Sequence, residues 1–319
     1  MVNRQTYFRK AIKWLIFLLA YLFLGYKLVT FNDYEALGLH FRLATFEHYL
    51  FLLLVFSLLP FNLLCEALKW RKLLSGIQPI SLSFAFKSVL IGQTGAFFTP
   101  NRLGEFPTRA LLLPKEQVVS AVALGFVGSA TQMIVITLVG LLAAFFYFPV
   151  AQPQMVFHLS YVSWFFFGAT LLLLMLLSVW VFRNYTLFCS KLQNSTWKSL
   201  TVLGDGLVRF SFQDIWKVFA FSAFRYLIFS TQFFAMLHFM DVSLTPFQAL
   251  LSIPTIYLLV TYTPSFAFSE AMVRGSYAIL ILSAFSTNEA GMAFAGILLW
   301  CINYCLPMLV GSVLAKKML

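Results

Sequence analysis

The apolar residues of this chain are gathered into long runs. Those near 11–31, 47–68, 117–148, 159–182, 215–239 and 290–314 each reach the roughly 20 residues that a helix needs to cross a bilayer. Two further apolar regions, 80–113 and 245–284, are interrupted near their centres by Thr-Pro followed by polar residues. The first break reads Thr99-Pro100-x-x-x-Gly104-Glu105-x-x-x-Arg109, and the second Thr263-Pro264-x-x-x-x-Ser269-Glu270-x-x-x-Arg274. Both run Thr-Pro, a spacer, a small residue, Glu, and Arg four positions later.

This pattern predicts an all-α polytopic membrane protein, with about six spanning helices plus two re-entrant broken-helix hairpins in an inverted-repeat arrangement. A single integral membrane domain occupies 1–319. Its first half, about 47–182, carries the hairpin 80–113; its second, about 215–314, carries the hairpin 245–284; 183–214 is a cytoplasmic linker. Related motifs inserted from opposite sides characterise inverted-topology repeats, whose broken helices form a substrate site near the midplane. Thr99 and Thr263 are placed to cap the half-helices, and proline suits a helix start.

Composition agrees. The chain is 61% hydrophobic and 10% charged, with mean hydropathy +0.87, against about 25% charge in a soluble domain. No polar stretch is long enough for a soluble catalytic domain. The net charge of +11 gathers in short segments between runs, the signature of cytoplasmic loops, and no nucleic-acid-binding motif accompanies it. With both hairpins re-entrant, every basic cluster falls on the cytoplasmic side. Making 80–98 a full span would move the cations of 183–217 outside. The expected location is the cell (inner) membrane, multi-pass, with both termini cytoplasmic. The N-terminal run resembles a signal peptide but lacks an A-x-A-like cleavage site, so it reads as an uncleaved first span.

The polar residues within the runs carry the candidate chemistry. A Glu and an Arg four apart share a helix face, and lone charges at mid-bilayer cost about 2.5–3.5 kcal/mol each. Glu105, Arg109, Glu270, Arg274 and Arg102 must therefore face protein or a water-filled cavity. Two readings stand: structural ion pairs that neutralise one another, or the lining of a site for a charged substrate. Arg225 falls near the middle of its run, as a site residue or as the partner of a glutamate. Gln132 and Gln232 read as interhelical hydrogen-bond formers, and Glu66 with Lys69 as a surface pair. His40, His48, His158 and His238 are isolated, and the four cysteines show no metal spacing; Cys301 and Cys305 read as core filler. No hydrolase, nucleotide-binding or metalloprotease motif occurs, and no cofactor or metal is expected.

The stretches CEALKWRKLLSG (65–76), FTPNRLGEFPTRALLL (98–113) and TPSFAFSEAMVRGSYAILIL (263–282) together resemble the lysylphosphatidylglycerol synthase transmembrane-region family, the flippase-like domain. Pro100, Arg102, Gly104 and Glu105 carry its most specific element. Ser265, Ala267 and Ser269 stand where the family is glycine-rich before Glu270-Ala271. The resemblance implies a stand-alone member without the aminoacyl-transferase domain. It implies movement of an anionic or aminoacylated phospholipid, or a polyprenyl-phosphate-linked lipid, between leaflets.

Substrate contact is expected from Arg102, Glu105, Arg109, Arg225, Glu270 and Arg274, because guanidinium groups bind phosphate in a bidentate way. The expected partners are membrane lipids with anionic headgroups; a homo-oligomer and a separate lipid-modifying enzyme stay open. The alternatives are an intramembrane transferase acting on a lipid phosphate with Glu105 as general base, and a scaffold for a separate synthase.

Overall fold

The computed structural model describes residues 34–151, 212–265 and 267–318, with isolated residues between 168 and 191. Every regular element among the described residues is helical. A short helix α1 (Tyr34–Leu43) leads into α2 (Phe46–Leu74), followed by α3 (Leu82–Phe97), a 3₁₀ turn (Pro100–Arg102), α4 (Glu105–Ala110) and α5 (Val118–Ala151). After the segment outside the description come α6 (Phe212–Phe239), α7 (Pro246–Tyr262), α8 (Ala267–Leu282), α9 (Glu289–Trp300), a π turn (Cys301–Cys305) and α10 (Leu306–Met318).

Among the described residues, four stretches are long and apolar enough to cross a membrane: Phe46–Leu74, Lys115–Ala151, Gln213–Phe239 and Glu289–Met318. They answer the runs at 47–68, 117–148, 215–239 and 290–314. The run at 11–31 lies outside the described residues, as does most of 159–182 and of the linker 183–214.

The helix starts are written locally. Ser81 accepts the Phe84 N–H ahead of α3, and Thr245 accepts the Gln248 N–H ahead of α7, with Pro246 in the first turn. These side chains satisfy amides that have no partner within the helix.

Helices α2 and α6 form the longest pairing, and they run antiparallel. Lys72 meets Asp214 at 2.6 Å, Glu66 meets Arg225 at 2.8 Å, Gln232 donates to the Val55 carbonyl at 2.9 Å, and His48 meets Asp241 at 2.8 Å. The contacts step up one helix and down the other. Gln232 thus makes the interhelical bond expected of it.

The two broken helices pack across the molecule. Helix α3 lies against α10, and α7 against α5. Glycines permit both approaches. A Cβ on Gly311 would overlap the Leu90 carbonyl oxygen, and one on Gly140 would sit 2.7 Å from Leu258 Cβ and 2.9 Å from the Pro254 carbonyl oxygen. Small residues at such contacts favour dense packing where apolar side chains gain little by leaving lipid.

These pairings define two ends. One gathers Leu73, Leu124 and Val218 with Leu74, Leu82, Val118 and Leu314; Arg71, Lys72, Lys115, Lys316 and Lys317 belong to it. At the other, Asn288 donates to the Met240 carbonyl at 2.9 Å, and Glu47, Asp241 and Glu289 lie nearby in sequence. Leu82 at the start of α3 and Leu113 just after α4 pack in one cluster, and Leu244 ahead of α7 and Leu282 at the end of α8 pack in another.

Candidate functional site

The first hairpin is tight because its facing residues are small. A Cβ on Gly95 would overlap the Thr108 hydroxyl and lie 2.7 Å from the Gly104 carbonyl oxygen; one on Gly92 would lie 2.5 Å from Arg109 Cγ. Arg109 therefore lies across Gly92. Thr99 ties the tip together and does not cap the proline turn: its Oγ1 accepts the Gly104 N–H at 2.7 Å and donates to the Gly95 carbonyl at 3.2 Å. Asn101 (φ 48°) and Arg102 (φ 61°) both take left-handed backbone. Asparagine tolerates this; for arginine it is strain of about 1–3 kcal/mol, of the kind found at functional sites.

In the second break, Thr263 closes the helix before it instead of opening the one after. Its hydroxyl donates to the Leu259 carbonyl at 2.8 Å and lies 2.8 Å from the Tyr277 hydroxyl. The two tips meet. The Asn101 N–H donates to the Ser265 carbonyl at 2.9 Å, and the Ser265 N–H donates to Asn101 Oδ1 at 3.0 Å. Non-helical backbone at both tips is thereby partnered.

Behind the first hairpin, Glu66 of α2 is a hub. Its Oε1 accepts from Arg109 Nη1 at 2.9 Å. Its Oε2 accepts from Arg225 Nη1 at 2.8 Å and Lys69 Nζ at 2.8 Å. Asn62 holds the other side of Arg225, accepting from Nε at 2.8 Å, while its amide donates to Asn303 Oδ1 of the π turn at 2.8 Å. The hub is dry: Glu66 is 4%, Lys69 3% and Arg109 1% exposed. Glu66 and Lys69 are thus a buried pair, not the surface pair their place near the end of a run suggests. Helices α4 and α6 cover them.

Glu105 carries the network onward. It pairs with Arg109, accepts from Gln93 Nε2 at 3.4 Å and lies 3.5 Å from Arg102 Nη2. Arg102 also donates to Gln93 Oε1 at 2.5 Å, and its guanidinium sits 4.0 Å over the Tyr304 ring. Tyr304 in turn accepts from Arg274 Nη2 at 3.2 Å, and Arg274 pairs with Glu270 at 2.6 Å. A small cavity opens between the halves, lined by Gln93, Phe97, Arg102, Glu270, Trp300 and Tyr304. Trp300 is 5% exposed, and its Nε1–H has no partner among the described residues.

All six residues singled out from the sequence, Arg102, Glu105, Arg109, Arg225, Glu270 and Arg274, thus join one continuous path. Arg225 has the glutamate partner considered for it. Glu66, Lys69 and Asn62 were missed, yet a signal existed: 62, 66 and 69 are spaced as one stripe along an apolar helix. Tyr304 and Asn303 carried none, since the π turn sets their direction. The histidines are less isolated than their spacing suggests. His40 and His48 converge on Asp241, at 3.2 Å and 2.8 Å. Among the described residues no group of three or more His, Cys, Asp or Glu is arranged to hold a metal ion.

The charge does not balance. Lys69, Arg102, Arg109, Arg225 and Arg274 face Glu66, Glu105 and Glu270, so the network carries two cations in excess. Lys69 and Arg109 are buried and Arg102, Arg225 and Arg274 half-buried; positive charge withdrawn from water in this way is costly without an anion, and guanidinium groups suit phosphate oxygens.

A helical membrane domain with a charged path between its broken helices is the class that fold and site define. Residues 11–311 match the family described as the lysylphosphatidylglycerol synthase TM region, and the chain belongs to it. No curated protein and no solved structure matches the chain significantly. The family points to a membrane role related to lipids.

Proposed function

We propose that the protein moves a lipid with a phosphate-bearing, anionic head between the leaflets of the inner membrane. The observation that carries this reading is the excess of buried and half-buried cations along a path between two hairpin tips. The Trp300 N–H adds an unpartnered donor at the cavity wall. In this reading the two hairpins are re-entrant and the halves form an inverted repeat, with six spans in all. The antiparallel α2–α6 pair and the crossed packing of α3 on α10 and α7 on α5 support it. The basic end is cytoplasmic, consistent with the bias of cytoplasmic loops, and both termini lie there.

Arg102 and the cavity take the phosphate first, in this reading, and Glu105 and Glu270 hold the arginines in place. The test is lipid translocation in proteoliposomes, with Arg102→Ala and Arg274→Ala alongside the wild type. Normal rates in both would remove the site assignment. A change in lipid mass, in place of a change in leaflet, would favour the transferase alternative. Orientation is checked by single cysteines at 205 and 241 in a background lacking the native four. Externally added reagent is expected to label 241 and not 205.

A further inference from the structure

Two residues that line the cavity between the halves keep hydrogen-bonding capacity that the protein does not use. Glu270 is buried and lines the cavity. Arg274 gives it two N–H groups, from Nε at 3.1 Å and from Nη2 at 2.6 Å, and both go to Oε1. Its Oε2 has no hydrogen-bond partner among the described residues. Trp300 lines the same cavity, and its buried Nε1–H is likewise without a partner among them. One free acceptor and one free donor thus belong to the walls of one small cavity.

That pair discriminates among chemical groups. An ionised phosphate oxygen only accepts hydrogen bonds, and beside Glu270 it would meet a like charge. An ammonium only donates; it would leave the Trp300 N–H unsatisfied, and its charge would add to the two cations already in excess. A hydroxyl does both: it can donate to Glu270 Oε2 and accept from Trp300 Nε1–H. Polar groups withdrawn from water are costly to leave unpaired, so a ligand that serves both gains twice. The rings complete the fit. Phe97 and Trp300 lie 6.2 Å apart, and Trp300 and Tyr304 6.4 Å, between ring centroids. They offer apolar walls to the carbon that bears the hydroxyl.

We infer that the lipid head carries a free hydroxyl close to its phosphate, and that Glu270 and Trp300 read this hydroxyl while Arg102 meets the phosphate. This rests on the anionic-lipid reading above and narrows it. The substrate class is a phosphodiester of glycerol, a sugar or another polyol, and not a bare phosphate ester or an amine-bearing head.

The experiment is calorimetry on the purified full chain, in a detergent that itself carries no hydroxyl. The probes are dioctanoyl phosphatidylglycerol and dioctanoyl phosphatidylmethanol, which share one negative charge and differ in the head hydroxyls, with dioctanoyl phosphatidylethanolamine as the ammonium-bearing head. Phosphatidylglycerol is expected to bind about tenfold tighter than phosphatidylmethanol, the scale of a hydrogen bond to a charged group. Phosphatidylethanolamine is expected to bind more weakly than phosphatidylglycerol. Trp300→Phe, which keeps a ring and loses the N–H, is expected to weaken phosphatidylglycerol several-fold and to leave phosphatidylmethanol unchanged. If that variant does not fold, the comparison in the wild type decides by itself. Equal affinity of the wild type for phosphatidylglycerol and phosphatidylmethanol overturns the inference and leaves the anionic-lipid reading standing. So does a folded Trp300→Phe whose preference is unchanged. Tighter binding of phosphatidylethanolamine than of phosphatidylglycerol assigns Glu270 Oε2 to a cation and overturns it too. Failure of the wild type to bind either anionic lipid removes both readings.

Discussion

Asn101 and Ser265 hold the tips of the two broken helices together through a pair of hydrogen bonds, 2.9 and 3.0 Å long. They come from opposite halves of the chain. Asn101 does two things at once: it accepts the Ser265 amide and turns the backbone left-handed at φ 48°.

Those two roles separate by substitution. Asn101→Gly keeps the left-handed turn and loses the side-chain acceptor, at a cost of about 1 kcal/mol. Asn101→Ala loses both, adding about 1–2 kcal/mol for the backbone. Thermal unfolding in detergent should rank wild type above Gly and Gly above Ala. An alanine variant as stable as the wild type would show that the tips do not depend on this contact.

Removing Glu66 should be worse than any substitution at the hairpin surface. Glu66→Gln leaves Lys69, Arg109 and Arg225 buried without their shared carboxylate, and breaking a buried pair costs about 3–5 kcal/mol. Neutralising one cation as well, in Glu66→Gln/Lys69→Met, should recover part of the loss. Monodispersity on size exclusion and unfolding temperature report both. Equal stability of the single and double variants would argue against charge as the cause.

Gly95→Ala should disrupt the first hairpin, because its methyl group would occupy the space of Thr108 and approach Gly104. Gly38→Ala is the control: nothing lies within 4 Å of that position, and its stability should stay within about 1 kcal/mol of the wild type. Unfolding measurements on both variants compare them directly. The hairpin geometry is in error if the two behave alike.

Tyr304 distinguishes a ring from a hydroxyl. Tyr304→Phe keeps the ring against Arg102 and Arg274 and loses the hydroxyl that accepts from Arg274. Tyr304→Leu loses both, including a cation–π contact of about 0.5–2 kcal/mol. Translocation in proteoliposomes is expected to be mildly reduced in the first and reduced several-fold in the second. The reverse order would assign the arginine's position to something other than the ring.

The described spans were legible because their runs are long and nearly free of charge. The breaks were legible too, since Thr-Pro and the Glu–Arg pairs are local signals at fixed spacing. What escaped was whatever depends on a distant neighbour. Lys69 stands two residues before Arg71 and three before Lys72, so sequence alone gave it the same solvated face. Its burial comes from α4 and α6, far along the chain. Thr99 and Thr263 read as helix caps by position; instead, one bridges its hairpin to Gly104 and the other closes the preceding helix. The meeting of Asn101 with Ser265 has no local trace, because it follows from how the halves interlock.

The crossed packing also sets an order of assembly. Helix α3 is made early, yet the surface it packs against, α10, is the last described helix to leave the ribosome. Until Gly311 arrives, the Leu90 face of α3 has only its own half for company. Biogenesis of the first hairpin therefore waits on the final helix, and a nascent chain stalled before Leu306 would present a half-built, charge-bearing hairpin to the insertion and quality-control machinery.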